Sequence, residues 1–196
     1  MEFPSSLREY LSEIKGYIYL SAAIFSVSVV TGYLYAQFLP EKASEFFSTL
    51  QQVMAHRFGG MESGFMVLAI FVNNLIATSM MLVLGVFFGF LPSFGLVVNG
   101  IILGVVGYVV KKESVLLLFS IIPHGIFEIP VFLVSAAIGL RLGHQAVRKL
   151  FQGNEIRVLE ELRRGVYFYV RWGVPFLLVA AFIEAFISIR IANLFR

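Results

Sequence analysis

Apolar residues along this chain gather in five long runs separated by short polar intervals. The runs are Gly16 to Leu39, Phe65 to Phe90, Phe94 to Val110, Ser114 to Leu142 and Val166 to Ile189. Each reaches the roughly 17–25 residues that a helix needs to cross about 30 Å of hydrocarbon. Lipid offers the backbone no hydrogen-bonding partners, so runs of this length predict membrane-spanning helices. Between the first two, Phe46, Phe47, Leu50, Val53, Met54 and Phe58 recur at spacings of three and four. That period predicts an amphipathic helix over residues 40–60, opened by Pro40, closed by Gly59-Gly60, and lying in the membrane interface or over the mouth of the bundle. Leu91-Pro92-Ser93, between the second and third runs, is expected to form a tight turn.

The fourth run is longer than one crossing requires, and its first half holds Pro123, His124, Gly125, Glu128 and Pro130. Proline removes a backbone donor and presses on the carbonyl four residues back. The sequence therefore predicts a break at Pro123-His124-Gly125 within a single kinked span, with a re-entrant half-helix followed by a full span as the alternative. Small residues punctuate the other runs: Gly85 and Gly89 in the second, Gly100 and Gly104 in the third, and Gly139 in the fourth. Pairs four apart let helix backbones approach closely, so the second and third spans are expected to pack as a tight hairpin.

Composition supports this all-α reading, a polytopic membrane bundle of about five transmembrane helices in a single domain over residues 1–196, plus the interfacial helix. Of 196 residues, 59% are hydrophobic and 14% charged, against about 25% charged in an ordinary soluble domain. The absence of cysteine excludes disulfides and zinc–thiolate sites. The net charge of +3 sits in short polar intervals and carries no nucleic-acid signature. Arg148, Lys149, Arg157, Arg163 and Arg164 share the interval Gly143 to Gly165, with Arg141 at its edge. By the positive-inside rule this interval and the amino terminus are predicted cytoplasmic in a multi-pass cell-membrane protein. The first run exceeds the roughly 7–15 residues of a signal-peptide core and lacks an Ala-x-Ala exit, so it is read as an uncleaved span.

With that orientation, Asn73, Asn74, His124, Glu128 and Glu184 fall in the outer half to middle of the bilayer, and Asn99 adds an amide in the third span. A carboxylate at that depth costs on the order of 3 kcal/mol, so Glu128 and Glu184 must be protonated, paired or wet. Three readings follow from such a cluster. It can hold helices together by hydrogen bonds, line an ion, proton or solute path, or belong to an intramembrane hydrolase. The last fits poorly, because His124-x-x-x-Glu128 is not the His-Glu-x-x-His of metalloproteases, and His56 and His144 lie in polar intervals. No catalytic residues, metal ligands or cofactor-binding residues are assigned, and no enzyme activity is expected.

Pro123-His124-Gly125-x-x-Glu128, followed by Ala137-x-Gly139-Leu140-Arg141, resembles the signature of the stage II sporulation protein M family of integral membrane proteins. Asn73-Asn74 ahead of Gly85-x-x-x-Gly89, the pair Asn99-Gly100, and Glu184-Ala185-Phe186 extend the resemblance over roughly Phe65 to Ile189. The Pro-His-Gly-x-x-Glu element is its specific part. The resemblance implies a membrane anchor that, in endospore-forming bacteria, recruits peptidoglycan-degrading partners during forespore engulfment. The family also extends to archaea and to bacteria that make no spores. On this reading the chain is a scaffold that meets the lipid bilayer, copies of itself, and protein partners through residues 40–64 and 143–165.

Overall fold

The computed structural model describes residues 6–58, 63–113, 115–152, 158–184 and 186, with side chains described throughout these except at 57, 58, 63, 113, 115–125 and 152. Helices α1 (Leu7–Phe38), α2 (Pro40–Phe58), α3 (Ser63–Val83), α4 (Phe90–Glu113), α5 (Val115–Gln152), α6 (Val158–Phe168) and α7 (Val174–Ile183) follow in order. Tyr169–Gly173 forms a π-helical turn that joins α6 to α7. Five of the helical stretches are long and apolar enough to cross a membrane, the last running from Val158 to Ile183.

α1 begins with Ser6, whose hydroxyl accepts from the Glu9 amide at 3.2 Å, a cap that satisfies one of the amides left over at a helix start. Its buried positions, Tyr10, Ile14, Ser21, Phe25, Ser28, Gly32 and Ala36, recur at three, four and seven and so form a single face. After Leu39 the chain turns directly into α2 at Pro40, the helix start expected from proline's missing N–H. Ala43 and Phe47 of α2 pack on Ala36, Val105 and Val109 of α1 and α4. Elsewhere on α2, Phe46, Val53 and Met54 stay exposed.

Three expectations from the sequence are corrected. First, the fourth span is single, as expected, but α5 is one uninterrupted helix through Pro123, Gly125 and Pro130, without the break. In hydrocarbon, breaking a helix strands several amides, whereas keeping it forfeits only the bond each proline removes, and neighbouring helices can compensate. The surplus length is spent at the other end, where α5 runs past Leu142 to Gln152. At 1.5 Å per residue its 38 residues reach about 57 Å, far beyond the ~30 Å of a hydrocarbon core. His124 and Glu128 therefore stand one helical turn apart; the side chains of Pro123, His124 and Gly125 lie outside the described ones.

Second, the turn between the second and third spans is Phe87 to Gly89, not Leu91-Pro92-Ser93. Phe88 and Gly89 take positive φ values of 56° and 73° and reverse the chain. Pro92 sits in the first turn of α4, where its missing N–H is harmless, and the Ser93 hydroxyl donates to the Gly89 carbonyl at 2.8 Å.

Third, the small residues of the second and third spans do not face each other. Gly100 and Gly104 of α4 meet Phe25, Ser28, Val29 and Gly32 of α1, so closely that a Cβ on Gly100 would lie 2.6 Å from the Ser28 Cβ. Gly85 and Gly89 meet Gly139 and Gly143 of α5 backbone to backbone. In both pairings the residue numbers rise together, so α1 runs parallel to α4 and α3 parallel to α5. Alternating single crossings require this, and the continuity of α5 makes it one span.

α5 is the hub. Ser135 to Leu140 are six consecutive buried residues, as a helix enclosed on all sides requires. α1, α3, α4, α6 and α7 all pack against it. The outer surfaces carry exposed Tyr19, Val27, Phe38, Phe65, Phe94 and Phe182, the perimeter of a bundle solvated by lipid.

Candidate functional site

Of the residues expected to form a polar cluster, Asn73 and Asn74 lie on α3, His124 and Glu128 on α5, and Glu184 just beyond α7. On α3, the Asn73 amide donates to the Asn74 carbonyl oxygen at 3.3 Å, with Asn73 exposed and Asn74 buried. Among the described residues the Asn74 amide nitrogen has no hydrogen-bond partner. One turn on, Thr78 donates to the Asn74 backbone carbonyl at 2.6 Å, leaving its oxygen to accept from the Tyr169 hydroxyl at 2.6 Å. Ser79 donates to the same Tyr169 oxygen at 3.3 Å. This seam ties α3 to the π-turn of the last span. The π-turn has a local cause: Pro175 cannot bond the Arg171 carbonyl and pushes it aside, and the helix widens to accommodate the ring.

Thr78 pairs with Tyr169 while Val67 and Ile70 pack with Ala181, so α3 and α7 are antiparallel. Glu184, half-buried just beyond α7, thus lies toward the start of α3. Glu128 is half-buried on α5, eleven residues before the Gly139 that meets Met81. By helix rise Glu128 falls near the level of Ile70, with Asn74 about one turn nearer the bundle middle. Asn99 stands apart, exposed on α4 and donating to the Gly95 carbonyl of its own helix at 2.9 Å. Among the described residues, no three His, Cys, Asp or Glu side chains converge as a metal ion would require.

At the opposite end of the bundle four charges distant in the sequence come together. Arg141 of α5 donates from Nη2 to one Glu161 oxygen at 3.1 Å and places Nε 3.0 Å from the other. Arg164 donates to both oxygens of Glu13 at 2.8 and 2.9 Å and lies 3.6 Å from Glu161. Arg141 also reaches Glu13 at 3.7 Å. The Arg164 guanidinium sits 5.9 Å over the ring of buried Tyr10, which stacks on Phe168 at 4.5 Å. Beside them the Tyr17 hydroxyl bonds the Nδ1 of His144. Gly165 admits α6 to this corner, since a Cβ there would come within 2.6 Å of the Ile138 side chain.

Two carboxylates and two guanidiniums thus neutralise one another and clasp α1, α5 and α6. The sequence does carry signals for this clasp: Glu161 and Arg164 are three apart, and Tyr10, Ile14 and Tyr17 repeat at four and three across the start of the chain.

A bundle of five apolar helices, packed on glycine and bordered by lipid-facing aromatics, defines a multi-pass integral membrane protein. Residues 21–189 match the family model described as stage II sporulation protein M, and the chain belongs to that family. Two uncharacterized proteins of Methanocaldococcus jannaschii are similar to it. The first is 32% identical over 128 residues, covering 64% of this chain and 72% of that protein. The second is 31% identical over 135 residues, covering 65% of this chain and 58% of its relative. No solved structure matches the chain.

Proposed function

We propose that this protein is a non-enzymatic membrane scaffold that anchors a partner complex. The observation that carries this reading is the contrast between interior and rim. Glycine pairs bring helix backbones together along α5, where a solute path would have to run, while α2 offers Phe46, Val53 and Met54 outward from one end of the bundle. Residues 40–64 and 143–165 are the contact surfaces in this reading, and what the structure describes of them is mostly helical, which gives a partner a rigid face. The orientation that goes with it has the clasp end, with Lys15, Arg148, Lys149 and Arg163, in the cytoplasm.

The rival reading uses Asn74, Glu128 and Glu184 as stations on a proton or ion path. Purified protein in liposomes separates the two: we expect proton and cation flux no greater than in protein-free vesicles. Flux that Glu128→Gln abolishes would overturn the scaffold. Orientation is tested with cysteines introduced one at a time, since the chain has none of its own. In sealed cells, a cysteine at Ser48 of α2 is expected to react with an impermeant maleimide and one at Gln145 of α5 only after lysis. The reverse pattern would invert the topology.

A further inference from the structure

We propose that the protein holds one anionic phospholipid of the surrounding bilayer in a crevice between the first turns of α1, α5 and the π-turn of the last span. The inference is independent of the scaffold reading. The crevice is a cavity of about 170 Å³ lined by Leu11, Val134, Ser135, Ile138, Tyr169 and Phe176 among others. Its walls run eight residues along α5, from Pro130 to Ile138, and eight along the last span, from Phe168 to Phe176. At 1.5 Å per residue each wall is about 12 Å long, close to the ~15 Å hydrocarbon depth of one leaflet. That length suits one acyl chain.

The crevice shares Leu7, Leu11 and Trp172 with a wide open recess of about 720 Å³, whose remaining walls are Ser6, Arg8 and Ser12. An apolar slot opening into a recess with a cation and two hydroxyls matches an amphiphile with an anionic head. A second cation lies against the shared Trp172: Arg171 is 5.8 Å over its ring and donates to the Tyr167 hydroxyl at 3.2 Å, both interactions outside the clasp. Arg8 and Arg171 are exposed, unlike Arg141 and Arg164, whose charges the clasp already neutralises. Finally, Ser135 is 1% exposed and lines the slot, and among the described residues its hydroxyl has no hydrogen-bond partner. A buried hydroxyl in an apolar wall is costly to leave unpaired, and it is a donor close to the slot.

Trp172 is the sole tryptophan, so its fluorescence reports on this site without added labels. The test places the protein in phosphatidylcholine bilayers containing a small fraction of phosphatidylglycerol or phosphatidylcholine brominated on the acyl chain. Brominated phosphatidylglycerol is expected to quench Trp172 with about fivefold higher relative affinity, the preference one well-placed arginine confers. Arg8→Gln with Arg171→Gln should bring the two lipids to parity, and Val134→Phe, which fills the slot, should weaken quenching by both. Arg8→Gln alone, at an exposed position, keeps the test decisive if the double variant misfolds. Equal quenching by the two lipids in the natural protein would overturn the proposal, as would a preference unchanged by loss of the arginines.

Discussion

Gly139→Val is expected to abolish stable, monodisperse protein in detergent, while Gly107→Val leaves it intact. A Cβ on Gly139 would stand within contact distance of the Met81 carbonyl oxygen, 3.2 Å from the Met81 carbonyl carbon and 3.1 Å from Pro92. The opposing Gly85 has the same difficulty, because its Cβ would reach the Gly139 carbonyl carbon at 2.5 Å. A side chain can rotate away from an intruder, but helical backbone cannot. α3 and α5 would have to separate along the most enclosed stretch of the molecule. Without a hydrophobic driving force between helices in lipid, close packing and interhelical bonds carry association. Overpacking a core costs about 1–3 kcal/mol where side chains can yield, and this site lies at or beyond the upper end. Gly107, by contrast, has nothing within 4 Å of the added atom. Apparent Tm by fluorescence-detected gel filtration distinguishes the two. A Gly139→Val protein melting within a few degrees of the natural one would mean that the backbone contact between α3 and α5 is not what holds them.

The same glycines show what the sequence made legible and what it did not. Hydrophobic periodicity located five spans and the amphipathic α2, because span length and helical period are local properties written into consecutive residues. Gly85, Gly89, Gly100 and Gly104 were likewise recognisable as close-packing positions, but a glycine does not name its neighbour. The short connection between the second and third spans suggested a hairpin, whereas the partners are Gly139 and Gly143 of α5 and Ser28 and Gly32 of α1. Pro123 and Pro130 signal a break in water, where freed carbonyls can be solvated. In a bilayer the balance shifts toward an intact helix, and α5 is continuous. The polar seam was half legible. Asn74 stood out as an amide in an apolar run, but Thr78 and Ser79 gained meaning only when the π-turn brought Tyr169 to them. The clasp as a whole is not legible in the sequence, because Glu13, Arg141 and Glu161 come from three segments whose convergence depends on the crossing of α1 over α5.

That clasp should behave as a buried network with one weak member. The Glu161 side chain keeps 8% of its surface exposed and Arg141 15%, whereas Glu13 retains 33%. Removing one partner of a buried pair leaves an uncompensated charge and costs roughly 3–5 kcal/mol. Pairs near solvent are screened and contribute about 0–1 kcal/mol. Arg141→Leu is therefore expected to lower the apparent Tm most, because it leaves Glu161 facing only Arg164 at 3.6 Å. Glu161→Gln should follow, since it removes the carboxylate both arginines share, and Glu13→Gln should cost least. Replacing both members of the buried pair, Arg141→Leu with Glu161→Leu, removes the stranded charge along with the attraction and should recover much of the loss. The four apparent Tm values, taken at low and high salt, form the test. If Glu13→Gln proves as damaging as Arg141→Leu, the exposed carboxylate is the keystone. If the double variant is no better than Arg141→Leu alone, the cost lies in packing against Tyr10 and Phe168, and charge pairing is not what fastens α1 to the end of the bundle.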